Sequence, residues 1–339
     1  MPLLTFTSKG IYCPEADVFI DPWSPVRKAL ITHGHSDHAR SGHKEYLCTD
    51  SAKPVLKLRL GQQIQIQSVP YGKSVKINGV NFSFHPAGHI VGSAQIRIEY
   101  KGEIWVVSGD YKVENDGVAE AFEVVPCHTF ITESTFGLPV YKWEAQEDVF
   151  EQIHSWWQQN KELGKVSLLA GYSLGKAQRL LGNLDPGIGP IFTHGAVENV
   201  NEVLRNQGVK LPPTQRVLAT MSKEIYRGGL VIAPPSAISS SWSRKFKPLS
   251  TGIASGWMAL RGARRRRAVD RGFILSDHAD WIQLNQVIKE TGAKQIFVTH
   301  GYTDVFSKWL NEQGWDAKVV PTRFEGELAE IGESTTEVE

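Results

Sequence analysis

Directly after the apolar run Ala29-Leu30-Ile31, the chain places three histidines and one aspartate in His33-Gly34-His35-Ser36-Asp37-His38. A short apolar run followed by glycine and polar residues reads as a buried strand that hands over to a loop. Alternate positions on an extended loop point the same way. His33 and His35 can therefore grip one ion while Asp37 and His38 face a second. Imidazole and carboxylate donors suit zinc or a neighbouring first-row cation, and the absence of cysteine from the run argues against a closed structural zinc site. A polar loop that merely happens to be rich in histidine is the bland alternative, and the spacing disfavours it.

The length, 339 residues, predicts about two domains by the usual size prior. No window approaches the ~20 apolar residues of a membrane span. Met1-Pro2-Leu3-Leu4 lacks the regions of a secretory signal, so the expectation is a cytoplasmic chain with no membrane partner. Cys13, Cys48 and Cys127 are widely spaced and odd in number, which reads as reduced, buried thiols. Net charge is only +1, yet nine basic residues against the single acid Asp270 lie between Trp242 and Arg271. Such a block suggests a phosphate-rich partner at one place; a solvated charged helix face is the alternative.

One device recurs along the chain, an apolar run ending in an acidic or metal-capable residue. Ile104-Trp105-Val106-Val107 precedes Ser108-Gly109-Asp110, and Phe130-Ile131 precedes Thr132-Glu133-Ser134. Phe273-Ile274-Leu275 precedes Ser276-Asp277-His278, and Ile296-Phe297-Val298 precedes Thr299-His300-Gly301. Strands that all end this way put their functional groups on one rim of a sheet. Helices are predicted over 146–163, 174–184, 198–207, 281–291 and 304–313, four of them followed by a glycine at the C-terminal cap. Residues 61–107 alternate, as in Gln63-Ile64-Gln65-Ile66, and read as antiparallel strands. The pattern predicts an α/β chain, two sheets with helices outside, and no fixed-period repeat. Residues 140–262 show their own strand and helix alternation and read as an inserted α/β domain. It divides a first domain into 1–139 and 263–328, and the acidic tail 329–339 reads as disordered.

Distant segments supply the remaining donors. His89 sits in Pro86-Ala87-Gly88-His89, where glycine allows close backbone approach. His33, His35 and His89 would hold one ion and Asp37, His38 and His300 the other, with Asp110 bridging. Two divalent ions about 3.5–4 Å apart can share a hydroxide nucleophile and clamp the oxygens of a phosphodiester. Zinc is the first expectation for such a pair, with manganese as the alternative.

The His-x-His-x-Asp-His run, His89 after glycine and Ser108-Gly109-Asp110 resemble the metallo-β-lactamase fold, an αββα sandwich. Glu133 in Thr132-Glu133-Ser134-Thr135-Phe136-Gly137, His278 in Ser276-Asp277-His278-Ala279-Asp280 and His300 in Val298-Thr299-His300-Gly301 resemble the motifs of its β-CASP nuclease branch, whose inserted domain would be 140–262. More narrowly, Gly175-Lys176-Ala177-Gln178-Arg179, Gly256-Trp257-Met258 and the segment Arg264 to Gly272 resemble the bacterial ligase-associated DNA exonucleases. The resemblance spans the chain to about residue 325.

What the resemblance implies is a two-metal phosphodiesterase, a DNA exonuclease acting on strand ends in repair, linked functionally to an ATP-dependent DNA ligase and helicase. Asp37, Glu133 and His278 would be its catalytic residues. His278 would act as general acid or phosphate contact near the leaving oxygen, with Glu133 holding its tautomer. Arg264, Arg265, Arg266, Arg267 and Arg271, with Lys176 and Arg179, would touch backbone phosphates. Trp257, Trp242 and Tyr172 are candidates for base stacking. His43, His85, His128, His154 and His194 read as structural. A histidine at position 300 is the form usual in RNA-processing members of the branch, so an RNA-processing ribonuclease is the alternative. A binding scaffold without catalysis and a small-molecule thioesterase or lactamase stand behind it; the insert and the arginine block have no role in the last.

Overall fold

The computed structural model describes residues 2–260 and 269–322, which divide into two compact units. Unit one takes 2–115, 119–142 and 278–322; unit two takes 116–118, 143–260 and 269–277. The class is mixed α/β, with three sheets among the described residues. No described helix is long and apolar enough to cross a membrane.

The first sheet of unit one runs in chain order through β1 (Thr5–Thr7), β2 (Gly10–Cys13), β3 (Val18–Ile20), β4 (Lys28–Leu30), β5 (Glu45–Thr49) and β6 (Ile66–Val69). Helix α1 (Lys53–Leu60) connects the last two, and β5 and β6 pair in parallel. The alternating stretch Gln63-Ile64-Gln65-Ile66 thus differs from expectation. Residues 62–64 turn, and the strand that begins at Ile66 has a parallel neighbour. Alternation reports which face is buried, not the direction of the neighbouring strand.

The second sheet has the order β19 (Asp316–Val319), β18 (Gln295–Gly301), β11 (Thr129–Ser134), β10 (Glu103–Val107), β9 (Ala94–Tyr100), β8 (Val80–Pro86), β7 (Val75–Ile77). Strands β7 to β10 pair antiparallel, as the alternation in 75–107 predicts, and the rest pair in parallel. One buried cluster draws Ile11, Val18, Leu30 and Leu47 from the first sheet and Phe82, Phe84, Ile96, Ile98 and Trp105 from the second. The opposite side of the first sheet buries Ala29, Tyr46 and Cys48 with Leu56 of α1. Against Val106, Phe130, Ile296 and Val298 of the second lie Leu284, Val287, Ile288, Phe306 and Leu310.

Unit two is built on an all-parallel sheet ordered β14 (Gln215–Arg216), β13 (Ile191–Thr193), β15 (Leu230–Ala233), β12 (Val166–Ala170), β16 (Leu249–Ala254), β17 (Arg271–Phe273). Its inner strands Val-Ser-Leu-Leu-Ala and Leu-Val-Ile-Ala are buried at every residue, as a parallel sheet covered on both faces requires. Its helices are α2 (Gln146–Glu162), α3 (Lys176–Asn183), α4 (Gly195–Asn206) and the short α5 (Ser236–Ser239). Back in unit one follow α6 (Trp281–Thr291) and α7 (Thr303–Glu312).

Helix α6 has the expected bounds because both ends carry their own signals. Asp280 accepts from the Gln283 amide at 2.9 Å in a capping box, and Gly292 takes the left-handed conformation at φ 69°, which costs glycine little. Helix α4 begins three residues before its expected start, since His194 Nδ1 accepts from the Ala196 amide and does the work of an N-cap serine.

Candidate metal centre

The candidate donors of unit one come from strand ends. The loop after β4 carries His33, His35, Asp37 and His38; the loop after β8 carries His89; Asp110 follows β10, Glu133 lies near the end of β11 and His300 near the end of β18. Backbone strain and close approach hold two of these loops. Gly109, at φ 58°, would set a Cβ 2.7 Å from Thr32 Cβ, and Gly88, at φ 72°, would set one 2.1 Å from the Lys112 carbonyl oxygen. Neither position accommodates a side chain.

Four imidazoles converge on one carboxylate. Asp110 Oδ2 lies 3.5 Å from His33 Nε2, 3.5 Å from His38 Nε2 and 3.9 Å from His89 Nε2, and Asp110 Oδ1 lies 2.7 Å from His300 Nε2. His35 Nδ1 faces His89 Nε2 at 3.0 Å, and Asp37 Oδ2 is 3.7 Å from His38 Nε2. The donor atoms form overlapping sets, each drawn together within 4.8 Å: His33, His35, His89 and Asp110; His38, Asp110 and His300; His33, Asp37 and His38; and Asp110, Glu133 and His278. This buried His/Asp cluster could bind metal, and Asp110 belongs to both of the sets that include His89 and His300. The fit is chemical as well as geometric. His33 Nε2 is buried without a hydrogen bond, a costly state for a polar atom unless something else takes its lone pair. No thiol competes, since Cys13, Cys48 and Cys127 are buried in cores elsewhere.

The electrostatics point the same way. Burial drives the His33 imidazolium well below its ordinary range, and the positive charge of His38 adds to the effect. Burial also works against a charged His38, but the carboxylates of Asp110, Asp37 and Asp21 outweigh it and hold the group up at about 10. Burial would raise Asp110 and Asp37; cationic imidazoles overcome it, holding Asp110 well below the usual carboxylate range and Asp37 below its own. His33 thus keeps a free ring lone pair, and the carboxylate field that holds a proton on His38 is one that a divalent cation would neutralise on displacing that proton.

Glu133 and His278 adjoin the cluster. Glu133 Oε2 receives His278 Nδ1 at 2.8 Å and the Thr135 hydroxyl at 2.5 Å, while Oε1 accepts the Tyr111 amide at 2.7 Å. Both residues are buried, and the His278 ring lies 4.6 Å from that of His89. The bond from Nδ1 to the Glu133 carboxylate fixes the orientation of the His278 ring.

The expected phosphate contacts are placed differently. Lys176 and Arg179 are buried in unit two, each 3.1 Å from the Asp277 carboxylate. Lys176 also donates to the Leu275 carbonyl at 3.1 Å, and Arg179 to the Ser276 carbonyl and, at 2.8 Å, to Gln146 Oε1. Their charges are satisfied inside that unit, which departs from a solvent-facing phosphate contact. Arg271 is exposed at the start of β17. Arg264, Arg265, Arg266 and Arg267 lie outside the described residues, as does the tail. Trp257 is buried, whereas Trp242 and Tyr172 are half-buried.

Residue-level reading missed Asp21. Its carboxylate accepts from the Thr32 amide at 2.8 Å and the Thr32 hydroxyl at 2.5 Å and meets His38 Nδ1 at 2.8 Å. The signal existed, since Asp21 follows Val18-Phe19-Ile20 just as the other acids follow their strands. Arg59 of α1, which donates to the Gly34 carbonyl between two candidate ligands, has no counterpart in the sequence pattern.

No family model matches the chain. It is 30% identical over 321 residues to a probable DNA ligase of Opitutus terrae, covering 94% of this chain and 31% of that protein. It is 33% identical over 125 residues to endoribonuclease YSH1 of Yarrowia lipolytica, covering 36% of this chain and 15% of that one. The chain thus spans under a third of the length of either relative. A crystal structure of a protein of unknown function from Enterococcus faecalis V583 matches with a TM-score of 0.59 at 11% identity, over 88% of this chain and 80% of that one, a likeness of fold alone. Nearly the whole chain therefore has a counterpart inside a protein named for joining DNA, and a third of it has one inside a protein named for cutting RNA.

Proposed function

We propose that the chain is a two-metal phosphodiesterase that trims DNA ends, built as a metallo-β-lactamase αββα sandwich with an inserted β-CASP domain. The observation that carries the reading is the convergence of four imidazoles on Asp110 beside a Glu133–His278 pair. His33, His35 and His89 would hold one ion, Asp37, His38 and His300 the other, and Asp110 both. Bound divalent ions supply a nucleophile at neutral pH and Lewis-acid stabilisation of the phosphoryl oxygens. Asp21 orients His38 through Nδ1, so that Nε2 faces the cluster. Glu133 does the same for His278, and the imidazolium form, with Nδ1–H bonded to Glu133, would give its Nε2 proton to the departing oxygen and be left neutral.

DNA is favoured over RNA because the similarity to the ligase-named protein runs through 94% of this chain, against 36% for the endoribonuclease. A functional connection to an ATP-dependent ligase is the corresponding proposal for a partner. An RNA-processing nuclease is the second reading, and the endoribonuclease likeness favours it. Zinc is the preferred metal for this donor set, with manganese next. End-labelled single- and double-stranded DNA and RNA, incubated in parallel with zinc and with manganese, test the proposal. Stepwise shortening of DNA is expected; hydrolysis of RNA alone selects the second reading, and hydrolysis of neither overturns both.

A further inference from the structure

Unit two carries a surface on which charge and an aromatic ring coincide. The sequence holds no acidic residue from 225 to 269, and the described part of that stretch includes the short 3-10 helix Ser241–Phe246. There Trp242 is half-buried, its ring set edge-on 4.8 Å from His194 and 4.8 Å from the buried Phe246, with Lys245 Nζ 5.7 Å from its centroid. Arg244 and Lys247 are exposed, and neither pairs with a carboxylate among the described residues. The indole packs in T-shaped pairs with His194 and Phe246, has the Lys245 ammonium over its ring, and is partly open to solvent.

Topology gives this place a second significance. From β13 the chain turns to β14 on one side, and from β15 it crosses to β16 on the other. Connections that diverge in this way open a crevice at the carboxyl ends of the two strands, the usual ligand position of an open parallel sheet. His194 directly follows β13, so its contact with Trp242 sets the indole at that mouth.

We propose that this surface binds a single strand of nucleic acid, one unpaired base stacking on Trp242 and the backbone phosphates meeting Arg244, Lys245 and Lys247, without help from metal. The choice of polymer rests on the nuclease reading; the surface does not. An acidic peptide would satisfy the cations and leave the ring face unused. Stacking is sequence-tolerant, because every base offers a flat face, and dT and U oligomers are both expected to bind.

The test is fluorescence anisotropy of labelled oligo-dT and oligo-U on the full chain in EDTA, at several salt concentrations, with polyglutamate as competitor. Trp242→Ala is expected to weaken both oligomers about tenfold, with Trp242→Phe restoring most of the loss. The double variant Arg244→Gln/Lys245→Gln is expected to lower the salt slope by about 1.4, roughly 0.7 for each lost single-strand phosphate contact. It also keeps the test decisive if Trp242→Ala fails to fold. Unchanged affinity and slope in the variants, or polyglutamate binding as tightly as the oligomers, overturns the proposal. Intact binding by a chain that hydrolyses nothing overturns the enzyme reading and leaves this surface standing. Normal hydrolysis with binding indifferent to these residues does the reverse.

Discussion

Asp110 has four imidazole nitrogens within 3.9 Å of its carboxylate, so replacing it removes the group that the two candidate ion sets share. Asp110→Ala is expected to abolish hydrolysis and lower bound metal, measured by elemental analysis, with an unchanged circular dichroism spectrum; wild-type activity would sink the two-metal reading. His278→Ala separates proton transfer from metal binding. Its rate should fall about 10²- to 10⁴-fold while metal content stays at the wild-type level. Asp21→Asn belongs between these two, weakening metal affinity about 10- to 100-fold by loosening His38, which competition with a chelator measures. The donors themselves were legible because few other roles put so many imidazoles into six residues. Asp21 was not, since a lone acid after a strand has many uses and only the folded chain brings it to His38.

At the scale of elements, unit two contains polar networks that are structural. Glu198 of α4 accepts from the Thr193, Thr214, Asn201 and Arg205 side chains at 2.5–3.1 Å. Burial alone would raise its carboxyl, but these donors hold it below the usual range. A depressed native value means the stabilisation is full above the ordinary carboxylate range and is lost as pH falls through the native one. Glu198→Gln should therefore cost about 2–3 kcal/mol near neutrality and lose less than wild type on acidification below about pH 4, as read from urea titrations. Asp277→Ala would remove the carboxylate that buried Lys176 and Arg179 share, a loss of about 3–5 kcal/mol. A shift in the salt dependence of DNA binding without loss of stability would restore them as phosphate contacts. Most helices were legible because caps and glycines are local signals. The inward turn of Lys176 and Arg179 was not, because their partner lies a hundred residues away.

For the whole molecule, the uneven charge has a measurable consequence. Arg265→Ala/Arg266→Ala is proposed to lower the salt slope of duplex binding by about 1.8, roughly 0.9 for each lost contact; an unaltered slope would remove those arginines from the interface. The alternation of β12 to β17 with helices was visible as a pattern of buried runs. The strand order was not, because it depends on which crossover passes over which strand.

The strands that carry the candidate donors also set a clock. Strand β18, which brings His300, lies between β11 and β19 in the second sheet, so β11 has no neighbour on that side until residue 301 has been made. A ribosome-bound chain that already displays His33 to His38, His89 and Asp110 still lacks the last imidazole and an inner strand, even after unit two has been synthesised. On the proposed two-metal reading, no fragment that stops short of residue 301 could hold both ions, so hydrolysis would begin only after β18 has joined the sheet.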